Sequence, residues 1–283
     1  MEVEDALRRC GGAARWSQLR ALGVTRHALR VAVEAGRIAS PYPGTYVLPG
    51  ADPATSAAVG LCGVVSHASA ARLHGLDLYE PPRLIEVTVA RGCRQRAPGV
   101  QVYAADLAPE DREINHPITT VRRTVRDCAR TMPVLHGVVL LDGVVRDERM
   151  SVADLREMAD AAIGPGATAI RQAVGYVDAM CGSCLETILR LLLELVRGVT
   201  WETQVWIPGI GPVDFLVNGW LVLEPDGFAF HSNREHYRRD RKRWNGLTEG
   251  CFVTLRFTYE DLMYRRRAVL RQITRVLAAG PRR

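Results

Sequence analysis

Apolar and polar positions along this chain switch between helical and strand periods, and the switches mark its elements. Leu19 and Leu22 fall on one face of a helix that ends at Gly23, and Leu29 and Val33 on a second that Thr25 caps and Gly36 ends. Two helices joined through a glycine turn predict a helix-turn-helix. The run RIASPYPGTYVL follows, with Pro41, Pro43 and Gly44 between β-prone flanks, and predicts a wing. Arg26, His27 and Arg30 lie off the Leu29/Val33 face, where they can meet phosphates or base edges.

From residue 51 to about 178 the pattern alternates. SHASAARLHGL predicts a helix ending at Gly75, IEVTVA and VQVYAA predict strands, and TVRRTVRDCARTM predicts a helix. SVADLREMADA opens on Ser151 with Asp154 three residues on, close to a capping box. His67 and His74 stand two helical turns apart with no carboxylate or cysteine beside them, so they read as core or surface histidines and not as ligands. Gly164, Pro165 and Gly166 mark a turn or short linker.

The last hundred residues open on an amphipathic helix, CLETILRLLLELV, with Leu185, Ile188, Leu189, Leu192 and Val196 on its apolar side and Glu186 near its start. ETQVWIP, PVDFLV and WLVLEPD read as strands, and Asn218-Gly219 between the last two is a hairpin signal. Two registers are open. A two-residue loop pairs Val217 with Trp220 and sends Asp214 and Glu224 to opposite faces. A three-residue loop pairs Val217 with Leu221, sets Asp214 opposite Glu224, and points Asp226 the same way. Opposed carboxylates cost stability unless something positive sits between them, and converging acids suit a hard, oxygen-ligated ion such as Mg²⁺.

Composition narrows the classes. The 283 residues are 47% hydrophobic and 24% charged, which is ordinary globular composition and excludes wholesale disorder and a disulfide miniprotein. The net charge is +6, with the basic residues densest at the two ends, as polyanion binding favours. No apolar run is long enough for a membrane span, and the acidic start MEVEDALRRC lacks the order of a secretory signal, so no membrane partner and a cytoplasmic location are expected. Seven cysteines do not read as a disulfide framework. The lone CxxC of Cys181 and Cys184 has no second pair of ligands and reads as small residues packed at a helix start. There is no P-loop or GxGxxG, and Gly209 to Gly211 lacks the rest of that pattern, so no nucleotide cofactor is expected.

Two resemblances bear on function. The run SQLRALGVTRHALRVAVEAGRIASPYPGTYVLPG is similar to the N-terminal winged helix of AbiEi-family antitoxins, which bind promoter DNA in type IV toxin-antitoxin systems. Residues from about 183 to 278 resemble the PD-(D/E)XK nuclease superfamily, in its branch related to very-short-patch-repair endonucleases. The match rests on Glu186, Asp214, Glu224, Asp226 with Gly227, His231, the run RRDRKRWNGL, and Leu255 to Phe257. The resemblance implies Asp214 and Glu224 as metal ligands, Glu186 as a further ligand or water orienter, His231 as a proton-transfer group, and Mg²⁺, or Mn²⁺ in its place, as the cofactor. The superfamily's usual lysine is absent, its position being Asp226, as is usual in this branch; Phe230 stands where relatives often carry another histidine. Arg238, Arg239, Arg241, Lys242 and Arg243 form a basic cluster suited to holding the phosphates that the acids would repel.

The expected architecture is a multidomain α+β and α/β chain. It comprises a winged helix-turn-helix over 1–50, a connecting α+β domain over 51–178, and over 179–283 a restriction-endonuclease-like mixed sheet flanked by helices. The expected function is DNA binding with Mg²⁺-dependent phosphodiester hydrolysis, and a protein partner from a toxin-antitoxin or defence system would fit it. The alternative is a non-enzymatic regulator in which the nuclease fold is only a binding surface.

Overall fold

The computed structural model describes residues 1–226 and 234–281, and of 234–240 the backbone alone. The chain is a multidomain α+β protein. It forms two compact units, Met1–Val144 with Arg149–Val174, and Val145–Glu148 with Gly175–Arg283.

The first unit begins with α1 (Val3–Arg9), β1 (Ala13–Arg15), α2 (Trp16–Ala21), α3 (Arg26–Glu34) and the hairpin β2 (Ala39–Tyr42) and β3 (Thr45–Val47). The three strands form an antiparallel sheet in the order β1-β3-β2. Thr25 caps α3 by accepting from the Ala28 amide. The buried face of α3 is Leu29 and Ala32, while Val33 is 37% exposed, which corrects the expected Leu29/Val33 face. Val33 follows Arg26 by seven residues and Arg30 by three, so helical geometry places it beside those arginines.

α4 (Pro53–Gly60) packs on β1 and β3, and Val59 shares a core with Ala13 and Val47; the remainder of the unit is thereby continuous with the first fifty residues. Next come β4 (Val64–Val65), α5 (His67–Leu73), β5 (Ile85–Val89), β6 (Val100–Ala104), α6 (Val121–Thr131), α7 (Val134–Arg146), α8 (Val152–Asp160) and α9 (Ala167–Gly175). β4-β5-β6 form a sheet whose β5–β6 pair is parallel. His67 is buried, stacked on Tyr103 at 3.6 Å and bonded to Ser66 Oγ at 2.9 Å, and burial pulls its pKa down to about 3. His74 bonds the Thr119 carbonyl at 2.7 Å. Both histidines are absorbed by packing. Ser151 and Asp154 make the reciprocal cap that opens α8.

The second unit holds α10 (Cys184–Leu193), β7 (Trp201–Ile207), β8 (Gly211–Val217), β9 (Leu221–Asp226), α11 (Arg234–Glu249), β10 (Val253–Thr258), α12 (Tyr259–Tyr264) and α13 (Arg266–Ala279). Its mixed sheet runs β10-β9-β8-β7, antiparallel except for the β10–β9 pair. Phe215 and Leu223 are fully buried and face each other across β8 and β9, and Trp201 meets Phe215 edge-on. Leu221, Val222 and Leu223 are buried in succession, as a central strand covered on both faces requires. Among the described residues, no helix is long and apolar enough to cross a membrane.

Candidate functional site

The register of the β8–β9 hairpin decides whether the acids meet. Val217 pairs with Leu221, Leu216 with Val222 and Phe215 with Leu223, so the loop is the three residues Asn218, Gly219 and Trp220. Asn218 and Gly219 both take left-handed backbone, φ 50° and 73°, which Asn tolerates best among side-chain-bearing residues. Asn218 Oδ1 accepts from the Thr200 amide at 2.9 Å, tying the loop to the chain before β7. One further step in this register sets Asp214 opposite Glu224, on the face away from Phe215 and Leu223.

The row extends across the sheet. Gln204 stands opposite Asp214, between the pairs Thr203–Phe215 and Val205–Val213, and Arg256 pairs directly with Glu224. Gln204, Asp214, Glu224 and Arg256 therefore line one sheet face, one from each strand. Glu186 comes from the first turn of α10, where its carboxylate accepts from the Gly182 amide at 2.9 Å and from Ser183 Oγ at 3.0 Å. The Gln204 Nε2 amide donates to Glu186 Oε2 at 2.9 Å and to Asp214 Oδ1 at 3.5 Å, bridging the two acids. Gln204 has φ 52°, a left-handed mid-strand conformation of the kind that costs about 1–3 kcal/mol and clusters at functional sites.

Electrostatics follow from this crowding. Burial first, then the charges of Glu186 and Glu224, push the Asp214 carboxyl up to about 6, while Arg243 and the Gln204 bond pull it back. Glu224 is only 4% exposed. Arg243 bonds one of its oxygens and Arg256 Nε the other at 3.0 Å, and the Arg256 guanidinium also stacks on Trp244 at 4.1 Å. Arg243, expected among the phosphate contacts, is thus turned onto Glu224 and the Pro212 carbonyl. Among the described residues no three His, Cys, Asp or Glu side chains lie close enough to hold a metal ion. The Asp214 and Glu186 side of the row fits a hard cation, because both offer oxygens and the Asp214 carboxyl stays raised despite the charge of Arg243. Glu224 joins such a site only when its arginines release it.

The other expected residues are placed as follows. Asp226 is exposed at the end of β9, paired with Thr258. His231 lies outside the described residues, as do the side chains of Arg238 and Arg239 on α11. Arg241 stacks over Trp244 at 5.5 Å, and Lys242 is exposed. In the first unit Arg26, His27 and Arg30 are all exposed on α3; Arg26 lies over the Trp16 ring at 5.6 Å, and Arg30 is 3.8 Å from Glu34. Gln204 and Arg256 were not singled out from sequence, although the row that starts from Asp214 leads to both once β7 and β10 are in register.

No family model matches the chain, and no curated protein matches it. Among solved structures it is similar to the crystal structure of the RV2827C protein from Mycobacterium tuberculosis, at 19% identity and a TM-score of 0.36, over 67% of this chain and 79% of that one.

The raised Asp214 carboxyl has a thermodynamic sign. A carboxyl lifted in the folded state contributes stability that is full below its unfolded value near 4 and is lost as pH rises through about 6. Asp214→Asn should therefore melt above wild type at pH 8, by about 1–2 kcal/mol after solvent screening, with the gap closing by pH 4. Equal melting temperatures of the two proteins across that range would contradict the crowded-acid geometry.

Proposed function

We propose that this chain binds DNA through α3 of its first unit and hydrolyses DNA phosphodiester bonds at the Glu186–Asp214–Glu224 site of its second. The observation that supports the second half is the Asp214 carboxyl, pushed up to about 6 by burial and by the two further acids beside it, a strained carboxylate that a bound cation would relieve. Mg²⁺, or Mn²⁺ in its place, would supply phosphate polarisation and a more acidic attacking water. Asp214 and Glu186 would hold it, Gln204 would fix the angle between their carboxylates, and Glu224 would complete the set as Arg243 and Arg256 swing toward the incoming phosphate. Transferring those guanidiniums from carboxylate to phosphate keeps each charge paired throughout. The resemblance assigns proton transfer to His231. Lys242, with Arg238, Arg239 and Arg241 on the same helix, would hold the backbone without reading its sequence.

A second reading has its own support. Both oxygens of Glu224 already take arginine donors, so the fold needs no cation to neutralise that acid, as befits a non-enzymatic regulator built on a nuclease-like sheet. An antitoxin-like partner protein belongs to this reading.

Cleavage separates the two. Supercoiled plasmid, mismatched duplex and single-stranded DNA should be nicked or cut in Mg²⁺ or Mn²⁺ but not in EDTA, and Asp214→Ala should lower the rate by at least about 100-fold. Cleavage that persists in Asp214→Ala places the site elsewhere, and no cleavage by wild type on any of the three favours the regulator.

For the first unit, the double variant Arg26→Ala with Arg30→Ala should weaken duplex binding and flatten the dependence of log K on log salt by about 1.8, the share of two phosphate contacts. An unchanged salt slope removes α3 from the interface.

A further inference from the structure

We infer that Trp206 forms a stacking subsite for an unstacked nucleobase beside the Asp214 carboxylate, so that the second unit takes single-stranded DNA, or a nucleotide extruded from a duplex, as its substrate. This deepens the proposed function and rests on it.

Trp206 is 70% exposed, unusual for the largest apolar side chain. Along β7, burial alternates: Trp201, Thr203, Val205 and Ile207 turn inward, and Glu202, Gln204 and Trp206 turn out. Trp206 thus shares the outward face with Gln204, two residues and about 7 Å away, roughly the reach of one nucleotide of extended chain. Among the described residues β7 is the sheet edge, paired to β8 alone, so no described strand covers the ring from that side. A cleft of about 620 Å³ adjoins it, lined by Trp206, Gln204, Asp214, Ile210, Lys242 and Arg243 among others. That size suits a small-molecule or nucleotide moiety, within the usual range of about 300–1,000 Å³.

The lining divides by chemistry. Trp206 and Ile210 offer an apolar wall, Lys242 offers positive charge beside Arg243, which is held by Glu224, and Asp214 opens on the same cleft. A nucleotide has the matching parts: a flat base for the indole, a phosphate for Lys242. Base–aromatic stacking needs an exposed base face, and bases inside a duplex hide both of theirs against their neighbours. An unstacked nucleotide is therefore the occupant that uses both the ring and Lys242. An apolar peptide would leave the exposed Lys242 unused, and intact duplex would leave the indole without a counterpart.

The test is binding in EDTA by the full-length protein, with a fluorescein-labelled single strand of roughly 12 nucleotides and the same sequence as duplex. Trp206→Ala should weaken single-strand binding by about 5- to 100-fold and leave duplex binding unchanged, while Trp206→Phe should recover most of the loss. Because the ring is exposed, the variant's melting temperature should match wild type. Unchanged single-strand affinity in Trp206→Ala, an equal loss on both ligands, or no recovery by Trp206→Phe overturns the subsite. Since this readout needs no metal, failure of the subsite in a protein that cleaves leaves the nuclease reading standing. A wild type that never cleaves, yet loses single-strand binding on Trp206→Ala, overturns the nuclease reading alone.

Discussion

Two like charges facing each other across neighbouring strands are the constraint on which the second unit is organised. Asp214 and Glu224 stand opposite because the loop between β8 and β9 has three residues, and their repulsion must be offset. The surrounding side chains offset it unequally. Glu224 receives two arginines, one from the parallel neighbour β10 and one from α11. Asp214 receives a long amide contact from Gln204 and the more distant charge of Arg243, and burial, with Glu186 and Glu224 beside it, still drives its carboxyl upward. An asymmetric pair, with one acid neutralised and one left wanting, is the arrangement from which separate chemical roles arise.

The cost of this arrangement is visible in the backbone as well as in the charges. Gln204 sits mid-strand in left-handed geometry, and that conformation coincides with its reach to both Glu186 and Asp214. Glu186 satisfies amide and hydroxyl donors at the start of α10 while it crowds Asp214, so it serves the helix and the site together. Behind the sheet, Phe215, Leu221 and Leu223 are fully buried and fix the strands that carry the row. A rigid apolar face thus holds an electrostatically unfavourable one in place.

How much of this the sequence disclosed depends on the range of the interactions involved. Local signals were legible: the Thr25 and Ser151 caps, the glycines that end helices, and the strands of the last hundred residues. The hairpin register was legible only as a choice of two, because the sequence pattern fits both loop lengths, and the Asn218 bond to Thr200 that accompanies the longer one lies outside the hairpin. Gln204 and Arg256 needed the registers of β7 and β10, and β10 pairs in parallel from beyond α11, where no turn allows a count. The Val33 assignment failed because Ala32, small and unassertive in the pattern, occupies the core position. α7, apolar nearly all round, offered no helical stripe to read, and its residues from Gly137 to Val144 are all buried.

The most direct measurement of the shared acid row is the carboxyl titration of Asp214 by carbon NMR, in the full-length protein without divalent cations. It should titrate near pH 6 in wild type and move toward the ordinary aspartate value in both Glu186→Gln and Glu224→Gln, since each removes one repelling charge. An Asp214 resonance that titrates near pH 4 and ignores both substitutions would contradict a common carboxylate site.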